Sequence, residues 1–330
     1  MRQLILNSLG KIYNKVKSSE YFSKLYYSVA NSSYFNSFLE QEKMLADKGR
    51  MDAYHKAITA HVKKDDVVID LGTGTGILSF FASKNSPKKI YAVEHGAIIE
   101  SAKKIAAHNN ISCIEFVNTN SKDFTSDEKA DIIIHEQIGA LLFDENMNEN
   151  IIDLRDRMLK PEGKILPGKF EVYLVPVKLK KNYTVPFIWE QEIHGIKYDC
   201  FDELKSDISA GYGILYTRPE NIDCFLSEPE KILFFDMETM SDKDIQRHFS
   251  IKSKITKDSE CNGLCFFFDI IFDNENKLST NPLTSSTHWN IPILRTESMH
   301  FKTGDEIKYS FEWKDPADLS TYKWKLLSSN

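Results

Sequence analysis

Hydrophobic and polar positions follow two different patterns along the chain, and the change falls near Pro167. On the N-terminal side, short apolar runs ended by turn residues alternate with segments of helical periodicity. This alternation predicts an α/β fold with a doubly wound parallel sheet, whose ligand lies at the carboxyl ends of the strands. The predicted strands are 67–70, 89–94, 113–117, 131–135 and one beginning at 164–167, and the predicted helices are 77–84, 97–109 and 148–160.

Beyond Pro167 the apolar runs follow one another without helical segments between them, which predicts an all-β domain, a sandwich or a barrel. Residues 196–225 interrupt these runs and are predicted to form an inserted arm, or else a plain surface excursion. The runs lie at 170–178, 231–237, 264–273, 307–313 and 321–327. The predicted division is a helical extension at 1–33, a ligand-binding domain at 34–166 and a β domain at 167–330.

The first 62 residues are predicted to be helical. Apolar positions in 1–33 approximate one helical stripe, which indicates a helix that packs on the body of the protein or binds a partner. Residues 34–62 continue the helical pattern until Gly49 interrupts it, so two short helices or a kink are expected there.

Composition and charge narrow the function mainly by exclusion. With 330 residues, 42% of them hydrophobic, the chain is long enough for about two domains. A net charge of −6 argues against a protein that binds nucleic acid or an anionic membrane mainly by charge. No apolar run approaches the ~20 residues of a membrane span, and no signal peptide is evident. The five scattered cysteines therefore predict free thiols in the cytoplasm, with no metal site.

The segment 67–77, VVIDLGTGTGI, is a strand that ends in a glycine-rich turn and opens a helix. Glycine allows a positive φ and lets a ligand approach the backbone closely. Ile77 stands where a dinucleotide fingerprint needs its third glycine, so the turn instead resembles the S-adenosyl-L-methionine turn of class I methyltransferases. Glu94 ends the next strand, where a carboxylate can accept both ribose hydroxyls.

Two acids follow the fourth predicted strand, nine residues apart: Glu136 and Glu145. Facing one point, two carboxylates can hold a planar cation, and guanidinium has the matching geometry. The alternative is that both are ordinary surface acids of a loop. A further segment at 287–289, Thr-His-Trp, reads by itself as a packed aromatic beside a hydrogen-bonded histidine.

Together these segments resemble the protein arginine methyltransferase family over residues 34–330. The resemblance lies in VVIDLGTGTG, in YAVE, in the double-glutamate loop EQIGALLFDENM, in THWNIPIL, and in an upstream helix at 44–54. It implies a Rossmann-like domain that binds S-adenosyl-L-methionine, then a β-barrel with a dimerisation arm and an active site between the two. It also implies methylation of arginine in a protein or peptide, and a head-to-tail homodimer.

The resemblance implies a role for each matching residue. Glu136 and Glu145 would grip the substrate guanidinium, His288 would pair with Asp47, and Trp289 would wall the substrate pocket. Met44 and Met147 match positions that hold methionine in members making asymmetric dimethylarginine, which favours that product. Arg50 would pair with the cofactor carboxylate, and the remaining cofactor contacts would come from Asp70, Gly72, Gly74, Gly76, Glu94, Ser121, Lys122 and Asp123.

The chain departs from the family pattern at the start of the double-glutamate loop, where His135 stands in place of a serine. Two other hypotheses stay open. The first is a methyltransferase that acts on a small guanidine or amine metabolite or on a biosynthetic peptide. The second is a dimeric scaffold that has kept the fold without catalysis.

Overall fold

The computed structural model describes residues 37–181, 192–198, 200, 213–285 and 287–327. The predicted helical extension at 1–33 lies outside the described residues. The first sheet consists of β1 Val67–Leu71, β2 Lys89–Glu94, β3 Ile114–Asn118, β4 Ala130–His135 and β5 Leu159–Leu166. Its strands are all parallel and lie in the order β3-β2-β1-β4-β5. The Rossmann-like prediction is confirmed, and the order reverses between β1 and β4, where such sheets bind ligands.

The helices of this half are α1 Phe38–Ala46, α2 Lys48–His61, α3 Ile77–Ser83, α4 Ile99–His108 and α5 Met147–Met158. The predicted break between the first two helices lies at Asp47 rather than at Gly49. Asp47 caps α2, because its side chain accepts a hydrogen bond from the Arg50 N–H at 3.0 Å. Gly49 lies inside the first turn of α2. The helix α5 ends earlier than predicted, since β5 begins directly after it at Leu159.

The second half is an antiparallel β domain, as predicted. Its longest sheet has seven strands, among them the central pair β6 and β13, and a second sheet has three strands in the order β12-β16-β17. In the part of the chain that the structure describes, the two are separate sheets, so closure into a barrel is not seen. The strands are β6 Lys169–Leu179, β7 Glu192–Ile193, β8 Ile196–Lys197, β9 Ile214–Thr217, β10 Ile222–Phe225, β11 Glu230–Asp236, β12 His248–Lys254, β13 Ser259–Ile271, β14 Lys277–Ser279, β15 Ile291–Phe301, β16 Glu306–Glu312 and β17 Lys323–Leu327, with short 3-10 helices at Pro219–Asn221, Asp242–Asp244 and Leu319–Thr321.

The two halves share one core of buried residues. Phe143, from the loop that follows β4, inserts its ring between Phe235 and Trp313 of the β domain, with centroid distances of 5.2 Å and 5.6 Å. Offset or edge-on aromatic pairs of this kind favour one fixed arrangement. The loop that carries both predicted substrate glutamates is thus anchored in the β domain.

A second contact joins the halves at the hairpin between β13 and β14. Asn276 donates a hydrogen bond to the Ala53 carbonyl of α2 at 2.8 Å, and both groups are buried. Beside it, the rings of Tyr54 and Phe272 meet edge to face at 4.9 Å. The hairpin therefore fixes the position of α2, the helix that carries Arg50.

Candidate cofactor and substrate site

The turn between β1 and α3 depends on glycine at three positions and has little room for a side chain at two of them, Gly74 and Gly76. Gly72, Gly74 and Gly76 have φ angles of 73°, 54° and 92°, in the left-handed region that favours glycine. A Cβ at Gly76 would come within 2.6 Å of the Phe80 ring, and one at Gly74 within 3.0 Å of the Gln41 side chain on α1. The turn thus packs closely between α3 and α1, as a close backbone approach to a ligand requires.

Asp70 holds this turn closed from beneath. One of its oxygens, Oδ2, accepts hydrogen bonds from Thr73 Oγ1 at 2.6 Å, from Ser79 Oγ at 2.6 Å and from Ser79 N at 3.0 Å. Burial raises the pKa of this carboxyl, the three hydrogen bonds lower it, and the charge of Glu94 raises it, with a net rise above the ordinary value. Asp70 is fully buried, so its contribution is to the shape of the turn.

Glu94 lies at the edge of the sheet, with its side chain 12% exposed. Its Oε1 accepts from Gly96 N at 2.7 Å and its Oε2 from Gly74 N at 3.2 Å. Each carboxylate oxygen has a second lone-pair direction available. Glu94 thus connects β2 to the glycine turn and can still accept two hydroxyl donors.

Arg50 lies between the glycine turn and the loop after β4. Its Nη1 pairs with Glu136 Oε2 at 2.8 Å, and its Nη2 donates to the Met44 carbonyl at 2.8 Å. The guanidinium carbon lies 5.9 Å from the Trp289 ring centroid, within the range of a cation–π contact. Among the described residues its buried Nε has no hydrogen-bond partner. A buried donor of this kind is costly unless a ligand satisfies it.

The loop after β4 presents Glu145 to the same cavity as Glu136. It is a tight structure, in which Leu142 and Asn146 have positive φ angles of 69° and 56°. Burial raises the pKa of Glu145 well above its usual range, and the negative charges of Glu136 and Asp144 add to this rise. Glu145 therefore retains its proton more readily than an ordinary glutamate, and a cation bound beside it would favour the ionised carboxylate.

The predicted pair of His288 and Asp47 is in contact. His288 Nδ1 lies 2.9 Å from Asp47 Oδ2, and the His288 backbone N–H donates to the same oxygen at 2.9 Å. Burial alone raises the pKa of Asp47, but hydrogen bonds from His288 and Arg50 lower it below its ordinary value. The next residue, Trp289, donates its Nε1–H to the Ile138 carbonyl at 2.7 Å. The segment thus connects the cap of α2 to the double-glutamate loop.

His135, the residue that departs from the family pattern, is fully buried at the end of β4. Its Nε2–H donates to the Pro167 carbonyl at 2.9 Å, and its own carbonyl accepts from Tyr54 Oη at 3.1 Å. Burial lowers the pKa of His135 to about 4, so the ring is neutral near pH 7. These bonds tie the residue before Glu136 to both α2 and the β domain.

A cavity of about 340 Å³ runs along the carboxyl ends of the parallel strands. This volume is in the range of small-molecule and cofactor sites. The predicted residues that line it are Met44, Arg50, Gly72, Gly74, Glu94, Ser121, Lys122, Glu136 and Glu145.

The other predicted site residues lie outside the cavity lining. Met147 is fully buried at the start of α5, and Trp289 is buried with its ring edge-on to Phe268 at 5.8 Å. The predicted wall of the substrate pocket is thus packed one layer behind the cavity. Five more predicted residues also lie outside the lining, and among them Asp123 is exposed and His288 is partly exposed: Asp47, Asp70, Gly76, Asp123 and His288.

Several polar residues line the cavity without having been predicted. Gln41 is 6% exposed and lies against Gly74, although nothing in the sequence of α1 distinguishes it from its acidic neighbours. Thr119 and Asn120 could have been predicted from the sequence. They directly follow β3, and residues directly after a parallel strand lie at the ligand edge of the sheet. The unpredicted lining residues include Gln41, His95, Thr119, Asn120, Gln137 and Asn150.

Replacing Asp47 or His288 by Ala should break the same contact. The double variant should therefore lose less unfolding free energy than the two single variants lose in total. Residues in direct contact show interaction energies of about 0.5–3 kcal/mol. The measurement is the free energy of unfolding by urea for the wild type, both singles and the double at pH 7. Strictly additive losses would contradict a working contact between the two side chains.

Comparisons with known proteins show which fold and which relatives the chain resembles. Residues 169–323 match the family described as "Arginine methyltransferase oligomerization subdomain", and residues 52–166 match "Ribosomal protein L11 methyltransferase (PrmA)". A Trypanosoma brucei structure, "PRMT1 enzyme-prozyme heterotetrameric complex with AdoHcy", superposes with a TM-score of 0.79 at 24% identity, over 90% of this chain and 95% of that one. Protein arginine methyltransferase 10 from Arabidopsis thaliana superposes with a TM-score of 0.74 at 23% identity, over 89% and 93%.

The fold and its glycine-turn site define a class I methyltransferase architecture. Curated relatives indicate which methyltransferases within this class the chain is similar to. Protein arginine N-methyltransferase 1 of Caenorhabditis elegans is 29% identical over 84% of this chain and 82% of its own length. Protein arginine N-methyltransferase 6 of Danio rerio is 29% identical over 82% and 81%. The chain is therefore similar to protein arginine N-methyltransferases over more than four fifths of its length.

None of the helices within the described ranges is long and apolar enough to cross a membrane. The five cysteines are all free thiols. The cytoplasmic location stays a prediction.

Proposed function

We propose that this protein transfers a methyl group from S-adenosyl-L-methionine to a guanidinium nitrogen of arginine in a protein or peptide. The main support for the proposal is that one cavity is lined by the glycine turn and Glu94 together with two acidic residues, Glu136 and Glu145. The names of the curated relatives support the same reaction.

The residues present fit the cofactor. Gly72 and Gly74 line the cavity, where their lack of side chains lets a ligand approach the backbone, and Glu94 can accept two ribose hydroxyls. Arg50 has a buried donor, Nε, to offer to a carboxylate group. When bound, S-adenosyl-L-methionine supplies a methyl group on a positively charged sulfur.

Glu136 and Glu145 would hold and orient the substrate. Guanidinium is not deprotonated in proteins, so the task of the site is to position one nitrogen for attack. Two carboxylates can bind the other nitrogens by charge-assisted hydrogen bonds. They would draw the positive charge towards those nitrogens and leave the remaining one more nucleophilic. Met44 on the cavity wall would limit the space around that nitrogen, and the preference for an asymmetric product stays a prediction.

The test of this function is a methylation assay with labelled S-adenosyl-L-methionine. Arginine-rich proteins, arginine peptides, free arginine and a small guanidine are offered in parallel, and the products are identified by mass spectrometry. Methylarginine in the proteins or peptides supports the proposal. Label only in free arginine or in the small guanidine would instead make the protein a metabolite methyltransferase. Failure to bind the cofactor at all would favour a non-catalytic scaffold.

The replacement Glu94→Gln should weaken binding of S-adenosyl-L-methionine about tenfold, because a hydrogen bond to a charged group is worth ~1.5–3 kcal/mol and the amide retains part of it. The amide has one acceptor oxygen, so it can keep the bond from Gly96 N–H but loses the longer bond from Gly74 N–H. Titration calorimetry measures the affinity. Glu115→Gln is the control, because Glu115 lies on β3 with its side chain 52% exposed and pairs with Lys89. Equal affinities for the two variants would rule out the ribose contact.

We further propose that the protein forms a homodimer. Support comes from the match of residues 169–323 to an oligomerization subdomain. The β7–β8 hairpin, at the start of the predicted arm, exposes Ile193 and Ile196, the latter at 63%. The resemblance to arginine methyltransferases implies four apolar anchors in the arm, Tyr198, Phe201, Leu204 and Ile208, of which the last three lie outside the described residues.

A further inference from the structure

The loop that carries both glutamates holds a third carboxylate, Asp144, directly before Glu145. Its side chain is folded inside the loop, where Oδ1 accepts a hydrogen bond from Leu141 N at 3.3 Å. A Cβ on Gly139 would lie 1.8 Å from that oxygen, so only glycine leaves space for the carboxylate. Gly139 and Leu142 form an antiparallel bridge around it. Asp144 therefore packs behind the cavity wall and supports the turn that presents Glu145.

The charge of Asp144 is not neutralised by a direct partner. Among the described residues no ion pair reaches Asp144 or Glu145, whereas Glu136 is paired with Arg50. The charged and titratable groups that act on this cluster are Glu136, Glu145 and Arg50, together with Tyr322 of the β domain. Burial raises the pKa of Asp144 to about 6, so the group is mostly ionised at pH 7. The loop thus holds three carboxyl groups, of which only Glu136 forms an ion pair with Arg50.

We propose that Asp144 is a positioning residue for the cationic substrate. Its carboxylate braces the turn that presents Glu145, and its negative charge strengthens the attraction of the loop for a guanidinium group. Asp144 does not touch the substrate, because it does not line the cavity. This inference rests on the proposed function and extends it to a residue that neither the glycine turn nor the pair of glutamates includes.

Two substitutions distinguish the effect of the Asp144 charge from the effect of its hydrogen bond to Leu141 N. Asp144→Asn keeps the size of the side chain and an oxygen that can accept from Leu141 N–H, and it removes the charge. Asp144→Ala removes both. The control is Asp156→Asn, since Asp156 lies on α5 with its side chain 61% exposed and carries the same change of net charge. All four proteins are assayed with one arginine peptide, and their cofactor affinity is measured by titration calorimetry.

For Asp144→Asn we expect KM for the peptide to rise about tenfold at pH 7.5 with cofactor affinity unchanged, as loss of one nearby charge predicts. Asp144→Ala should show the same rise in KM and a fall in kcat as well, because Glu145 loses its support. Asp156→Asn should behave as the wild type. If Asp144→Asn retains the wild-type KM, the charge has no role and the inference is wrong. If the wild type does not methylate the peptide, the proposed function fails instead.

The pH profile gives a readout that a merely structural role would not change. In the wild type, kcat/KM should rise with pH as two groups become charged: Asp144, whose pKa is raised to about 6, and Glu145, whose pKa is raised well above its usual range. In Asp144→Asn the first of these ionisations is absent, and Glu145 is relieved of one like charge, so its pKa falls. The acid limb of kcat/KM should therefore move to lower pH in this variant. An acid limb at the wild-type position would contradict the electrostatic part of the inference.

Discussion

Replacing Glu136 by Gln should lower kcat for an arginine peptide by about a hundred- to a thousandfold, the usual cost of removing one group that stabilises a transition state. Gln keeps the size of the side chain but loses the charge that would hold a guanidinium nitrogen. The cavity wall near the ribose end, with Gly74 and Glu94, does not change. Binding of S-adenosyl-L-methionine should therefore weaken by no more than a fewfold.

The measurements are single-turnover methylation for kcat and titration calorimetry for cofactor affinity. Glu128→Gln is the matched control, because Glu128 pairs with Lys88 on the surface, with its side chain 48% exposed. Turnover of Glu136→Gln near that of the control would remove Glu136 from the substrate site.

Replacing Arg50 by Met should be the most damaging change to cofactor binding. Truncating one partner of a buried, hydrogen-bonded charge pair costs ~2–5 kcal/mol in binding, or at least about thirtyfold in affinity. The same change leaves Glu136 without its ion pair, and breaking a buried pair on one side destabilises by ~3–5 kcal/mol. The side chains of Arg50 and Glu136 are only 4% and 16% exposed, so solvent screens this pair weakly. Both cofactor affinity and the free energy of unfolding should fall.

The double variant Arg50→Met with Glu136→Gln separates these two effects. Removing both charges leaves neither one buried alone, so the free energy of unfolding should partly recover. Cofactor affinity should stay low, because the donor to the cofactor carboxylate is still missing. Chemical denaturation and calorimetry on the same preparations measure both quantities. If affinity recovers together with stability, Arg50 affects the cofactor only through the fold.

The parallel half of the fold was predictable strand by strand, whereas the β domain was only partly so. The strands β1, β2 and β4 are buried and mostly apolar, because both faces of the sheet are covered there, whereas the edge strand β3 is partly exposed. The strand β15 was missed: it begins with buried apolar residues and continues through Arg295, Thr296 and Glu297, so its sequence has no single period. The break between α1 and α2 was predicted at Gly49, whereas it lies at Asp47, because Asp47 caps the start of α2.

At the site, residues on the motifs could be predicted, but their contacts could not. Motif spacing identified Arg50 and Glu136 separately, and only the folded chain places them 2.8 Å apart. Trp289 was predicted to wall the pocket and Met147 to match a position that bears on the product, and the burial of both depends on packing that no local pattern records. Asp144 carries no signal of its own, because its role depends on Gly139 across a turn.

The pairing of Asp47 with His288 joins residues 241 positions apart, and the hydrogen bond from Asn276 to Ala53 joins residues 223 apart. During synthesis, α2 leaves the ribosome long before either partner exists. Contacts between such distant parts of a chain form late and slow folding. The nascent protein can thus complete its parallel sheet while α2 still lacks its contacts with Asn276 and His288. The complete site can assemble only after residue 288 has emerged from the ribosome.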